Sequence, residues 1–121
     1  MIIPVPKHSM ELVQQSPVLV LRAGNAFEVQ IESSVRIWAP SQPAHSYQVG
    51  EIPEEAGCHL TGKVREAQAT DSGVLRLDFE SGWSAEAAAD PDYEAWNVAG
   101  TGGLRVVCMP GGELAVWPAR E

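Results

Sequence analysis

The 121-residue chain predicts a mainly β fold, either a small barrel-like sheet or a two-sheet sandwich, with at most one short helix. Three observations carry that expectation. Apolar and polar residues alternate with a period of two over short runs, tight-turn residues separate those runs, and two of the resulting hairpins correspond to one another along their whole length.

The first hairpin is Pro17 to Ser33, PVLVLRAGNAFEVQIES, which turns at Arg22-Ala23-Gly24-Asn25. Gly and Asn there supply the positive φ of a tight connection. On its second arm Phe27, Val29 and Ile31 share one face while Glu28, Gln30 and Glu32 take the other. Gly73 to Ala89, GVLRLDFESGWSAEAAA, aligns without gaps against it: Val18 meets Val74, Leu19 meets Leu75, Leu21 meets Leu77 and Phe27 meets Trp83. Two related hairpin units, each too small to fold alone, are therefore expected to share one core.

Val35 to Ala39 reads as a further strand after the first hairpin. Residues 40–57, with Pro40, Pro43 and Pro53, read as a long connection holding at most a short strand at Tyr47 to Val49. Leu60 to Ala69 is a strand leading through the turn Thr70-Asp71-Ser72-Gly73 into the second hairpin. Ala85 to Ala89 has helical propensity, but its place in a hairpin arm makes it a strand. Asp90-Pro91 has the form of an N-cap and first-turn proline, predicting one helical turn through Tyr93, Glu94, Ala95 and Trp96. Leu104 to Met109 and Glu113 to Trp117, around Pro110-Gly111-Gly112, form a third hairpin whose first arm is apolar enough to be buried on both faces. Residues 1–121 are thus expected to make one domain, with related units at 9–39 and 60–97 and a C-terminal hairpin at 104–117.

Composition limits the classes of function. The hydrophobic share of 45% is spread along the chain and suffices for a core. No run approaches the ~20 apolar residues of a membrane span, and Met1 to Met10 lacks the pattern of a secretory signal, so a cytoplasmic location is expected. The formal charge of -8 opposes binding to nucleic acid or anionic lipid and favours basic partners. Asp78, Glu80, Glu86, Asp90, Asp92 and Glu94 follow one another with no Lys or Arg between them, which predicts an acidic surface.

Residues with catalytic or metal-binding potential do not assemble into a recognised pattern. Cys58, His59 and Cys108 lack C-x-x-C and H-x-x-x-H spacing, and both cysteines are read as buried, reduced thiols. Asp90, Asp92 and Glu94 open like a calcium loop, but Ala95 replaces the glycine at the sixth position and Thr101 the glutamate at the twelfth. There is no G-x-S-x-G, and the glycines at 100–103 and 111–112 are followed by no phosphate-binding lysine and helix. No catalytic residue, metal or cofactor is expected. Trp38, Trp83, Trp96 and Trp117 are core candidates, with Trp96 beside Tyr93 read as partly exposed.

DPDYEAWNV at Asp90 to Val98, GGLRVVCMPGGELAVW at Gly102 to Trp117 and LRLDFESGW at Leu75 to Trp83 are the most distinctive stretches. Together they resemble a family of small, uncharacterised actinobacterial proteins classed as a domain of unknown function. The segment Trp83 to Ala89 is richer in alanine than is usual there, and Asn97 stands where the family often has an acid. Members look like the small acidic proteins that accompany secreted toxins in bacterial competition. The resemblance implies a non-enzymatic, immunity-like binder, with Asp78, Glu80, Asp90, Asp92, Tyr93, Glu94 and Trp96 meeting a basic, toxin-like protein. A self-associating homodimer module is the alternative, and a small-ligand or enzymatic pocket the third reading.

Overall fold

The computed structural model describes residues 1–120. Within them the chain forms β1 (Ile2–Ile3), β2 (Glu11–Gln14), β3 (Leu19–Ala23), β4 (Phe27–Ile31), β5 (Ser34–Trp38) and β6 (His45–Gln48). The short helix α1 (Glu54–Gly57) then runs into a 3-10 turn at Cys58–Leu60. The second half supplies β7 (Val64–Ala69), β8 (Leu75–Phe79), β9 (Ser84–Ala87), β10 (Trp96–Ala99), β11 (Arg105–Cys108) and β12 (Leu114–Trp117).

The strands make two six-stranded sheets, ordered β1-β7-β8-β9-β5-β6 and β12-β11-β10-β4-β3-β2, with every neighbouring pair antiparallel. Both sheets keep free edges, so the architecture is a sandwich and not a closed barrel. Leu19, Leu21, Val29 and Ile31 from one sheet and Leu75, Leu77, Val35 and Ile37 from the other belong to a single core, each at most 2% exposed. Full burial of such a side chain stabilises by about 1.5–3 kcal/mol, so this inner layer sets the register of both sheets.

The two hairpins that align in sequence lie in different sheets, β8 and β9 as the middle pair of one, β4 and β3 between β10 and the edge strand β2 of the other. Leu21 faces Val29 across β3 and β4, as Leu77 faces Ala85 across β8 and β9. Beyond each hairpin the chain crosses to the opposite sheet: β5 and β6 extend the ladder from β9, while β10 and β11 extend it from β4. Each half therefore lends a hairpin to the other half's sheet. The N–H of Glu32 donates to the carbonyl of Ala95 at 2.8 Å where the two crossovers pass.

Two local expectations change. The segment after Asp90 is an Asx turn, with the Asp92 N–H on Asp90 Oδ1 at 2.8 Å, and it enters β10 directly. Pairing of Trp96 with Ile31 extends the chain and overrides the helix signal of Asp90-Pro91. The helix instead lies at Glu54–Gly57, inside the proline-rich connection, with Pro53 before it and both acids of its first turn near its positive end.

Candidate functional site

Strand direction sorts the loops into two ends of the sandwich. The crossovers at 32–33 and 88–95, the turns at 70–74 and 109–113 and the segment 49–51 all follow or precede strands at one end. These segments carry Glu32, Glu51, Asp71, Asp90, Asp92, Glu94 and Glu113, and no Lys, Arg or His. A predominantly acidic pole is thereby built from residues far apart in sequence. The Met1 ammonium, which donates to the Ala69 carbonyl, is a positive charge at this end, and the β2–β3 turn at 15–18 is uncharged.

Tyr93 stands in this pole, 46% exposed. It lines an open recess with Glu32, Glu94, Met109 and Pro110. Asp90 holds the loop in place: its side chain caps the Asp92 N–H and its carbonyl accepts the Gly111 N–H at 2.8 Å. Partial desolvation, then the charge and hydrogen bond of Asp90, then the charges of Glu32 and Asp92 raise the Tyr93 phenol above its ordinary value. An exposed aromatic ring ringed by carboxylates suits a cationic protein surface, the ring supplying contact area and cation–π attraction and the acids long-range pull.

The acidic run does not form one surface. Asp90, Asp92, Tyr93 and Glu94 share the pole, whereas Glu80 follows β8 and lies at the opposite end. Asp78 is on the outer face of β8 and is buried, 8% exposed. It accepts the Ser84 hydroxyl at 2.6 Å and pairs with Arg76 at 3.2 Å, which leaves it little free charge to present. Arg36 pairs likewise with Glu86 at 3.1 Å, and the Arg36 and Arg76 guanidinium carbons stand 5.9 and 5.3 Å from the Trp38 ring centre. Residues that look equivalent along the sequence are separated by the period of two: alternate positions of β8 point outward and are neutralised there.

Trp96 is fully buried, correcting its expected exposure. As the first residue of β10 it points inward, and its indole N–H donates to the Gly73 carbonyl at 2.9 Å. Gly73 (φ +88) and Gly112 (φ +101) meet so closely that a Cβ on Gly73 would stand 2.6 Å from the Gly112 Cα. The turns 70–74 and 109–113 are thus locked beneath the acidic pole.

Cys58 is exposed, not buried, because the 3-10 turn directs its thiol to the Glu55 carbonyl at 3.2 Å. Cys108 is buried in β11, and burial raises its thiol pKa against a smaller lowering from an Ala95 backbone hydrogen bond. His59 stacks on Trp83 with ring centres 3.5 Å apart and planes 4° from parallel. Among the described residues no three His, Cys, Asp or Glu side chains gather in a metal-ligating group.

Glu32, Asp71 and Glu113 belong to the acidic pole but fall outside the sequence-predicted set. Pairing of β4 with β10, a contact distant in sequence, brings Glu32 beside Asp90 to Glu94, whereas the β8–β9 hairpin brings Asp71 there and the consecutive β10–β11 and β11–β12 pairings bring Glu113. Neither a curated protein nor a solved structure matches the chain. Residues 1–118 match the family model described as a family of unknown function, DUF6188, and the chain belongs to that family.

Proposed function

We propose that the protein is a non-enzymatic acidic binding protein whose loop pole captures a basic protein partner. The observation that carries this reading is the gathering of seven carboxylates from five loop segments at one end, with no basic side chain among those segments, around exposed Tyr93. Asp90, Asp92 and Glu94, joined by Glu32, accelerate encounter, and Tyr93 supplies contact that excludes water. Glu80, Asp78 and Trp96 have no part in that contact. The role is immunity-like: a cationic toxin-like protein is masked in the cytoplasm of an actinobacterial cell by steric cover and opposed charge.

The test takes the proteins encoded by the adjacent genes, of which one is expected to be a basic, toxin-like protein. Co-expression is expected to rescue cells from it, and association in vitro is expected to slow at least about tenfold between low and high salt, as steered encounters do. A rate indifferent to ionic strength, or one unchanged by Asp90→Asn with Asp92→Asn and Glu94→Gln, overturns the reading.

A second reading, a symmetric homodimer, is favoured by Val116 and Trp117, which are 42% and 54% exposed on the edge strand β12. Unpaired edge backbone with apolar side chains invites strand pairing between copies. Light scattering after size exclusion decides it: a dimer at low micromolar concentration that Trp117→Lys dissociates supports it, and a monomer removes it.

A further inference from the structure

The end opposite the acidic pole carries a recess of different character. It is lined by Lys7, Lys63, Arg65 and Glu80 over Val5, Pro6 and Val64, with a volume of about 370 Å³. Two backbone features open it. β1 pairs with β7 only at Ile2 and Ile3, after which Pro4 and Pro6 have no N–H to continue the ladder, so the N-terminal arm separates from β7. On the other side β7 shifts register between Val64 and Glu66, a bulge centred on Arg65. Bulges re-aim the side chain they carry, and here that side chain is a guanidinium.

The cations of the recess outnumber its carboxylate. The ion pairs among the described residues are Arg22 with Glu28, Arg36 with Glu86 and Arg76 with Asp78; none includes Lys7, Lys63 or Arg65. Three cations and one carboxylate, Glu80, leave a formal charge of +2 at one spot on a chain of net charge -8. Glu80 is fixed beside them through its N–H, which donates to the Lys63 carbonyl at 2.9 Å.

We propose that this recess is a binding site for a phosphate monoester. Such a group carries about -1.5 to -2 charge at neutral pH and presents three acceptor oxygens, matching a +2 site of two ammonium groups and a guanidinium fork. The half-buried Val5 and Pro6 give the recess an apolar side that accepts a short apolar body attached to the phosphate. The site is independent of the acidic pole, because no residue of one contributes to the other.

Inorganic phosphate is the first probe, titrated at constant ionic strength against sodium chloride and followed by backbone amide shifts of the full chain. Saturable shifts at Lys7, Val64, Arg65 and Glu80, with little change at Arg22, Arg105 or Arg120, are expected. Lys63→Ala and Arg65→Ala should each weaken the binding about tenfold, the scale of one charge-assisted hydrogen bond. Glu80→Gln should tighten it severalfold by removing the opposing charge. All three positions are exposed, and unchanged thermal unfolding identifies variants whose fold is intact. A sugar phosphate and a phosphoserine peptide then distinguish a metabolite from a modified protein as the source of the group. Shifts that do not saturate, that spread over all arginines, or that survive Lys63→Ala with Arg65→Ala would overturn the proposal.

Discussion

The Trp96 indole donates its N–H to the Gly73 carbonyl across 2.9 Å, joining the first residue of β10 in one sheet to the turn before β8 in the other. The Cys108 thiol reaches the same carbonyl at 3.5 Å, a weaker donor than the indole. Trp96→Phe keeps an aromatic ring but withdraws the stronger donor and leaves a void. A loss of about 2–4 kcal/mol is expected in urea unfolding, from the buried carbonyl and the cavity together.

Gly73 and Gly112 should tolerate substitution far less than their neighbour Gly111. All three have positive φ, yet a Cβ on Gly73 or Gly112 strikes backbone at 2.6 and 2.5 Å, whereas a Cβ on Gly111 meets nothing within 4 Å. Gly111→Ala is expected to cost about 1–2 kcal/mol from conformation alone. Gly73→Ala and Gly112→Ala should each exceed about 4 kcal/mol, a difference that denaturation midpoints of the three variants will read directly.

The buried carboxylate of Asp78 depends on Ser84, since its other partner, Arg76, has a side chain 44% exposed. Ser84→Ala should destabilise by about 1–3 kcal/mol by stripping a hydrogen bond from a buried charge. In an Asp78→Asn background the same change should cost less, giving a coupling of about 1 kcal/mol in a double-mutant cycle. Additive costs would show that the pair acts independently.

Tyr93 gives the acidic pole a spectroscopic reporter. In a Tyr47→Phe background its absorbance titration should lie above the ordinary value of 10.0, and Asp90→Asn should move it back down. A raised folded value fixes the sign for stability: the contribution is fully present below the unfolded tyrosine value and is lost as pH rises through the folded one. Asp90→Asn should therefore diminish the alkaline fall in stability. An unmoved titration would separate Asp90 from the phenol.

Hairpins were legible where the information is local. Leu19 to Ile31 and Leu75 to Ala87 alternate cleanly around their turns, and Leu104 to Trp117 is punctuated by Pro110-Gly111-Gly112, so each pairs where its pattern says. The alanines of β9 carry a helical signal, but their strand neighbours decide the matter. The exchange of hairpins was not legible, because the pairing of Trp38 with Ser84 and of Trp96 with Ile31 rests on contacts distant in sequence. That gap accounts for the misplaced Trp96. Its near neighbours Tyr93 and Glu94 face water, but burial begins at Ala95 and continues through Val98, so the boundary falls just before the indole. Three of the seven acids of the pole were legible as the run Asp90 to Glu94; Glu32, Glu51, Asp71 and Glu113 join them through strand pairing.

The reciprocal loan of hairpins between the halves has a consequence during synthesis. β4 emerges from the ribosome long before β10, its permanent neighbour, and β5 waits in the same way for β9. A nascent chain that stops before the second half is made has no finished sheet to close, only greasy ribbons lacking their mates. Maturation is therefore a late, all-or-nothing event, and shortened translation products should clump or be degraded rather than persist as working fragments.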